Sequence, residues 1–160
     1  EQKLFPDAKE ITESMAAFNA IRNKAKLFDL GDPTVTLIAV ADGNTPRTAA
    51  MFAYRTAWQC ISIDPRLVKT EWPAIKRLVC WKKRVEDFEP RHFGKLVIVA
   101  VHSHAPLDVV CDTFTADERV VVAIPCCVKQ ERERPPDFVY IDKGIWSPKN
   151  KVLVWIDSQT

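Results

Sequence analysis

Three stretches of the chain are apolar at almost every position: Val35 to Val40 (VTLIAV), Leu96 to Val101 (LVIVAV) and Val120 to Ile124 (VVVAI). A strand with one wet face alternates apolar and polar residues, so unbroken runs predict strands covered on both faces, as in a parallel sheet between helical layers. Elsewhere the period changes. Over 6–30, Ile11, Met15, Phe18, Ile21, Ala25 and Phe28 recur at helical spacing and Gly31-Asp32-Pro33 closes the run, predicting an opening helix. The reading continues with a strand over 35–41, a Gly-Asn-Thr-Pro turn, a helix over 47–55, a strand over 58–63 and a helical stretch over 64–77. A strand over 78–84, a connector over 85–88, a strand over 96–101, a helix over 107–115 and a strand over 119–124 follow. Strands alternating with helices or short connectors predict a doubly wound α/β fold with a mostly parallel sheet.

After Cys127 the rhythm breaks. Residues 129–136 (KQERERPP) form a charged segment stopped by proline, read as a solvated loop, and 138–145 and 151–156 read as two strands joined through Trp146-Ser-Pro-Lys-Asn150. The expected organisation is one domain over 1–160: an N-terminal helix (1–30), a βα core (35–127) and a terminal antiparallel hairpin (138–157). With 47% apolar and 28% charged residues, the composition excludes disorder and collagen-like repeats. Net charge is +2, which names no polyanionic partner. The longest apolar runs are far below the roughly 20 residues that cross a bilayer, so no membrane is expected. Five cysteines, an odd number placed mostly in apolar runs, predict a reducing compartment, cytoplasmic or nuclear. The chain opens at Glu1 with neither methionine nor a basic-then-apolar leader, which predicts a trimmed or processed piece.

Ligands of open parallel sheets sit beyond the carboxyl ends of the strands, so candidate chemistry is sought there. The first strand ends in Ala41-Asp42-Gly43-Asn44-Thr45-Pro46. Gly43 permits a tight turn, Asn44 or Thr45 can cap the next helix, and Pro46 suits its first position, so free helical N–H groups are expected to face a polar or anionic ligand. The second strand ends in Asp64, 21 residues after Gly43, about the spacing at which a βαβ nucleotide site places an acid on the ribose hydroxyls. Glu86 and Asp87 follow the third strand, where a carboxylate can accept from an adenine amine while Phe88 or nearby backbone covers the base.

The fourth strand ends in His102-Ser103-His104-Ala-Pro-Leu-Asp108 and the fifth in Pro125-Cys126-Cys127. A histidine at a strand end can act as general base because its pKa lies near neutrality. Zinc ligation and a cysteine nucleophile are weaker readings: no C-x-x-C occurs, and adjacent cysteines on an extended segment point to opposite faces, so no metal is expected.

The order strand, small-residue turn, helix, strand plus acid resembles the class I S-adenosylmethionine-dependent methyltransferases over roughly 35–156. The resemblance implies a Rossmann-like sheet with antiparallel last strands and S-adenosyl-L-methionine as cofactor. It implies contact of the methionine part with Gly43 and its neighbours Ala41, Asp42 and Asn44, of the ribose with Asp64, and of the adenine with Glu86 or Asp87. The stretch from His102 to Asp108 with Pro125-Cys-Cys127 looks more narrowly like methyltransferase-like domains carrying His-Ala-Cys after the fourth strand and Pro-Cys-Cys after the fifth, some of which act on RNA. Here His104 stands in place of that cysteine, and of the glycine-rich turn only Gly43 is kept.

Methyl transfer from a sulfonium is an in-line displacement, so the protein mainly positions donor and acceptor and excludes water. Where the acceptor must lose a proton, His102 or His104 is the candidate base, with Asp108 as orienting partner. The acceptor class stays open among RNA, protein and small molecules. The competing reading is a non-catalytic scaffold in a larger assembly or homo-oligomer, to which some of the five tryptophans could contribute an interface. Dinucleotide-dependent redox work ranks last, since no G-x-G-x-x-G is present.

Overall fold

The computed structural model describes residues 4–158. Three helices, α1 (Ala8–Asn23), α2 (Arg47–Arg55) and α3 (Leu107–Thr113), accompany seven strands, β1 (Val35–Val40), β2 (Gln59–Ile63), β3 (Leu78–Trp81), β4 (Arg91–Val101), β5 (Phe114–Ile124), β6 (Phe138–Ile141) and β7 (Lys151–Ser158). All strands join one mixed sheet in the order β3-β2-β1-β4-β5-β7-β6. Strands β1 to β5 pair in parallel, and β7 runs antiparallel to both β5 and β6.

The unbroken apolar runs have the expected cause. Along β4, Leu96, Ile98 and Ala100 point to one face and Val97 and Val99 to the other, and all five are buried. The first face packs with Leu107, Val110, Phe114 and Trp155. The second is covered by α1 and α2, with Phe18, Phe52 and Trp58 at its centre and the rings of Phe52 and Trp58 stacked at 5.9 Å.

Two predicted helices differ. The first stops at Asn23 rather than continuing to Leu30: Lys24 and Ala25 both donate to the Ala20 carbonyl, the second across five residues, so the last turn widens, the i→i−4 ladder ends and Ala25 enters the core. Within that helix Ile11 is exposed while Glu13 and Ser14 are buried, so its inner face is rotated away from the expected stripe. Residues 64–77 form turns instead of a helix. Pro65 and Pro73 lack donors, the Asp64 side chain and carbonyl take the Arg66 and Leu67 N–H groups, and Val68 donates to the Asn44 carbonyl, which folds the segment back toward the end of β1. Strands β4 and β5 begin earlier than predicted and pair from Arg91↔Phe114 to Val101↔Ile124.

The charged segment over 129–136 is pinned rather than simply solvated. Arg119, Arg132 and Arg134 converge on the Asp157 carboxylate at 2.9, 3.0 and 2.8 Å, and Arg132 also lies over the Trp155 ring. Burial pushes the Asp157 pKa up, but the hydrogen bonds and charges of these arginines outweigh it and hold the group below its ordinary 3.8. An acid depressed in the folded state stabilises above its unfolded value and loses that contribution as pH falls through the folded one. Asp157→Asn is therefore expected to lower stability by about 1–2 kcal/mol at pH 7. In denaturant titrations the deficit should shrink as pH drops below 3.8.

Candidate functional site

In the sheet, β1 leads to β2 on one side while β4 lies on its other side, so the connections diverge between β1 and β4 and open a crevice at their carboxyl ends. Two residues there hold left-handed backbone without being glycine, Ala41 at φ 52° and His102 at φ 49°, and Gly43 follows at φ 98°. Ala41 and His102 still extend their ladders, donating to the Ile63 and Ile124 carbonyls. Backbone strain of this kind persists where surrounding structure over-determines it, and both positions line the crevice. Two adjoining clefts of about 430 and 570 Å³ share Ala41 and Arg66.

The acid at the start of the first turn, Asp42, has a structural job. Its two oxygens accept from the Thr48 and Ala49 N–H groups of α2 at 2.9 and 3.2 Å, and one also accepts from the Ser62 hydroxyl. Burial raises its pKa, and these three hydrogen bonds pull it back. The expected cap, Asn44 or Thr45, is thus replaced by Asp42, with Pro46 in the cap position. The expectation that free N–H groups of α2 await an anion is corrected as well, since the Asp42 carboxylate already occupies them. Asn44 is exposed and accepts from Arg47.

Asp64 sits at the end of β2 with its side chain only 1% exposed. One oxygen accepts from the Gly43 N–H at 2.8 Å and the other from the Arg66 N–H at 2.7 Å, while the Arg66 guanidinium lies across both at 3.3 and 3.4 Å. No helix follows, so Asp64 is not a helix cap. It ties the β1 turn to the end of β2 and leaves its outer edge to a guanidinium that is 73% exposed.

The first cleft joins Asp42, Gly43 and His102 to groups that sequence reasoning missed: Glu10, Glu13 and Arg47. Glu10 pairs with Arg47 at 3.0 Å, and Ser14 shares a hydrogen bond with Thr48, which together fasten α1 to α2. Glu13 lies 3.5 Å from His102 Nδ1, and its other oxygen is buried without a partner among the described residues. Burial, reinforced by the neighbouring Glu10 charge, pushes the Glu13 pKa up to about 7. Burial also holds His102 below its ordinary 6.5, so its neutral form is favoured. His102 Nε2 faces the Lys149 carbonyl at 3.3 Å, which can only accept, so Nε2 carries the proton and Nδ1 is the basic nitrogen.

These shifts act oppositely on stability. An acid raised in the folded state loses its favourable contribution as pH rises from the unfolded value of 4.5 through about 7. A histidine held neutral loses stability instead as pH falls below 6.5. Glu13→Gln is expected to add on the order of 1–3 kcal/mol at pH 8 and nothing near pH 4.5, which denaturant titrations across that range will read.

The second cleft brings together Asp64, Glu86, Asp87 and His104, with Lys83 and Arg84 on its rim. Glu86 and Asp87 are exposed on a 3-10 turn, Val85–Asp87. Phe88 does not line this cleft. Its ring packs edge-on against Trp81 and Phe114 at 6.1 and 5.6 Å. The two candidate histidines are therefore divided between the clefts. Asp108 is exposed in the first turn of α3 and makes no hydrogen bond or ion pair to either histidine among the described residues.

Beside the second cleft, His104 meets the end of β5. Its Nε2 lies 3.2 Å from Cys127 Sγ and 4.0 Å from Cys126 Sγ, and the two sulfurs are 3.6 Å apart. The expectation that these cysteines point to opposite faces fails because β5 ends at Ile124, and residues 126–128 bend rather than extend.

No protein-family model matches the chain, and no curated protein is significantly similar to it.

No helix among the described residues is long and apolar enough to cross a membrane. A signal for the missed residues exists in retrospect. Ser14 is in phase with Phe18, Ile21 and Ala25, and Glu13 with Ala17 and Ala20, so two polar residues extend the buried face of α1 toward the crevice.

Proposed function

We propose that this chain binds S-adenosylmethionine and transfers its methyl group to an acceptor that reaches the first cleft. The sheet is taken as Rossmann-like, with β7 as the antiparallel last strand that the resemblance implies. The observation that carries this reading is the Asp64 carboxylate at the crevice. A carboxylate offers about four acceptor sites. The Gly43 and Arg66 N–H groups take two, and the exposed Arg66 guanidinium covers the others, so swinging it into solvent frees two acceptor positions for the two ribose hydroxyls. Glu86 and Asp87 stand where an adenine amine can donate, and Ala41, Gly43 and Asn44 border the cleft for the methionine part.

The cofactor supplies an electrophilic methyl on a sulfonium. The chain's own contribution is to hold an acceptor in line with it and to take up the acceptor's proton. His102 suits that task because it lines the first cleft in a favoured neutral form, with the Lys149 carbonyl on Nε2, rather than Asp108, orienting the ring and leaving Nδ1 as the base. Glu13, 3.5 Å from Nδ1, is placed to stabilise the imidazolium once it forms.

Calorimetric titration of the full chain with S-adenosylmethionine and S-adenosylhomocysteine, with ATP and NAD as competitors, tests the reading. Micromolar binding that ATP and NAD do not displace supports it, and RNA, protein and small-molecule acceptors then follow. Folded protein that binds none of these ligands overturns it in favour of a scaffold, the role in which the Arg66 guanidinium stays on Asp64.

A further inference from the structure

His104, Cys126 and Cys127 stand outside the chemistry derived above. They arrive from two loops, one after β4 and one after β5, that the parallel pairing of those strands places side by side. The loops are also joined by the buried Gln130 side chain, which donates to the Ser103 carbonyl at 2.7 Å, so the approach is built into the fold.

The spacing of the three donor atoms carries information. A tetrahedral zinc ion with bonds of about 2.3 Å to sulfur and about 2.0–2.1 Å to nitrogen holds its sulfurs about 3.8 Å apart and each sulfur about 3.6 Å from the nitrogen. The observed sulfur–sulfur distance is 3.6 Å, and the two sulfur–nitrogen distances, 3.2 and 4.0 Å, bracket the ideal. All three donor atoms lie within 4.8 Å of one another, so one ion can touch all of them with small side-chain rotations.

We propose that His104 Nε2 and the thiolates of Cys126 and Cys127 form a binding site for a thiophilic divalent cation, with zinc as the fitting ion. Two soft thiolates and an imidazole select zinc over magnesium or calcium, which require oxygen ligands. Binding converts two thiols to thiolates and releases two protons, leaving a neutral Zn(Cys)₂(His) unit. The remaining tetrahedral position opens to solvent, since Cys127 and His104 are exposed, and it takes a water or an incoming ligand. The site borders the cleft of Asp64 and Glu86 through His104 and a second hollow under the β6–β7 connection through the cysteines. Metal binding at these three residues is independent of whether the chain transfers methyl groups.

Anaerobic titration of the reduced full chain with Co²⁺, then Zn²⁺, tests it. The expected result is one cobalt per chain with a thiolate-to-cobalt charge-transfer band and intense tetrahedral d–d bands, displaced by zinc with proton release. Cys126→Ser, Cys127→Ser and His104→Ala should each weaken binding at least about 100-fold, beyond what loss of an outer partner costs, whereas Cys80→Ser should not. Circular dichroism confirms that each variant is folded, and a zinc-dependent rise in Tm that vanishes in all three variants provides a second readout. Absence of thiolate bands, or bands unchanged in His104→Ala and Cys126→Ser, overturns the proposal.

Discussion

Asp64→Ala is expected to abolish measurable S-adenosylmethionine binding while leaving a folded protein. The two ribose hydroxyls are each to donate to an ionised acceptor, and hydrogen bonds to charged groups contribute about 1.5–3 kcal/mol apiece. Losing both amounts to at least about 3 kcal/mol, or roughly 100-fold or more in Kd. The same change removes the acceptor for the Gly43 N–H, a bond of 2.8 Å, so a stability loss of about 1–2 kcal/mol should accompany it. Arg66→Ala separates the two effects. It leaves the carboxylate and the Gly43 bond in place while removing the guanidinium that overlies both oxygens, so binding should be retained or tightened. Calorimetry on both variants checks this, and full affinity in Asp64→Ala would place the ribose elsewhere.

Asp42→Ala should destabilise the fold by about 3–5 kcal/mol, more than either Asp64→Ala or Asp157→Asn. Each buried group left unpartnered costs about 1–3 kcal/mol, so three of them set a floor of about 3, and local relaxation that lets water reach the helix end keeps the total in the lower part of the summed range. The variant strands the Thr48 and Ala49 N–H groups and the Ser62 hydroxyl together, all at buried positions. Asp42→Asn keeps a single acceptor oxygen and should cost less than half as much. Urea midpoints at constant m-value are the measurement; equal midpoints for wild type and Asp42→Ala would refute the capping role.

The β core was legible because burial on both faces imposes a continuous apolar run, and Val35 to Val40, Leu96 to Val101 and Val120 to Ile124 have no other local reading. Helix α2 was legible at both ends because Pro46 precedes Arg47 and the small residues Ala49, Ala50 and Ala53 suit a helix against the sheet. The segment over 64–77 misled because its apolar residues recur at near-helical spacing, while its conformation follows two prolines and a long-range bond from Val68 to Asn44. Among the candidate site residues, Gly43, Asp64, Glu86, Asp87, His102 and His104 do lie at the carboxyl edge of the sheet, since strand ends can be read from strands. Asp108 was grouped with the histidines by nearness in sequence alone, and α3 turns it outward.

Local periodicity and chain order were enough to specify the strands, the α2 helix, the parallel character of the sheet and the rank of residues at its carboxyl edge. What those residues do to one another was set by the folded arrangement. Asp42 reaches Ser62 across 20 positions, His102 meets Glu13 from another element, and Cys127 meets His104 across 23. Hydrogen bonding, desolvation and metal-ligand spacing all depend on distances of a few ångströms between segments far apart in the chain. A periodic pattern points to an inward face, which packing still rotated in α1, and carries no record of which side chain that face will meet.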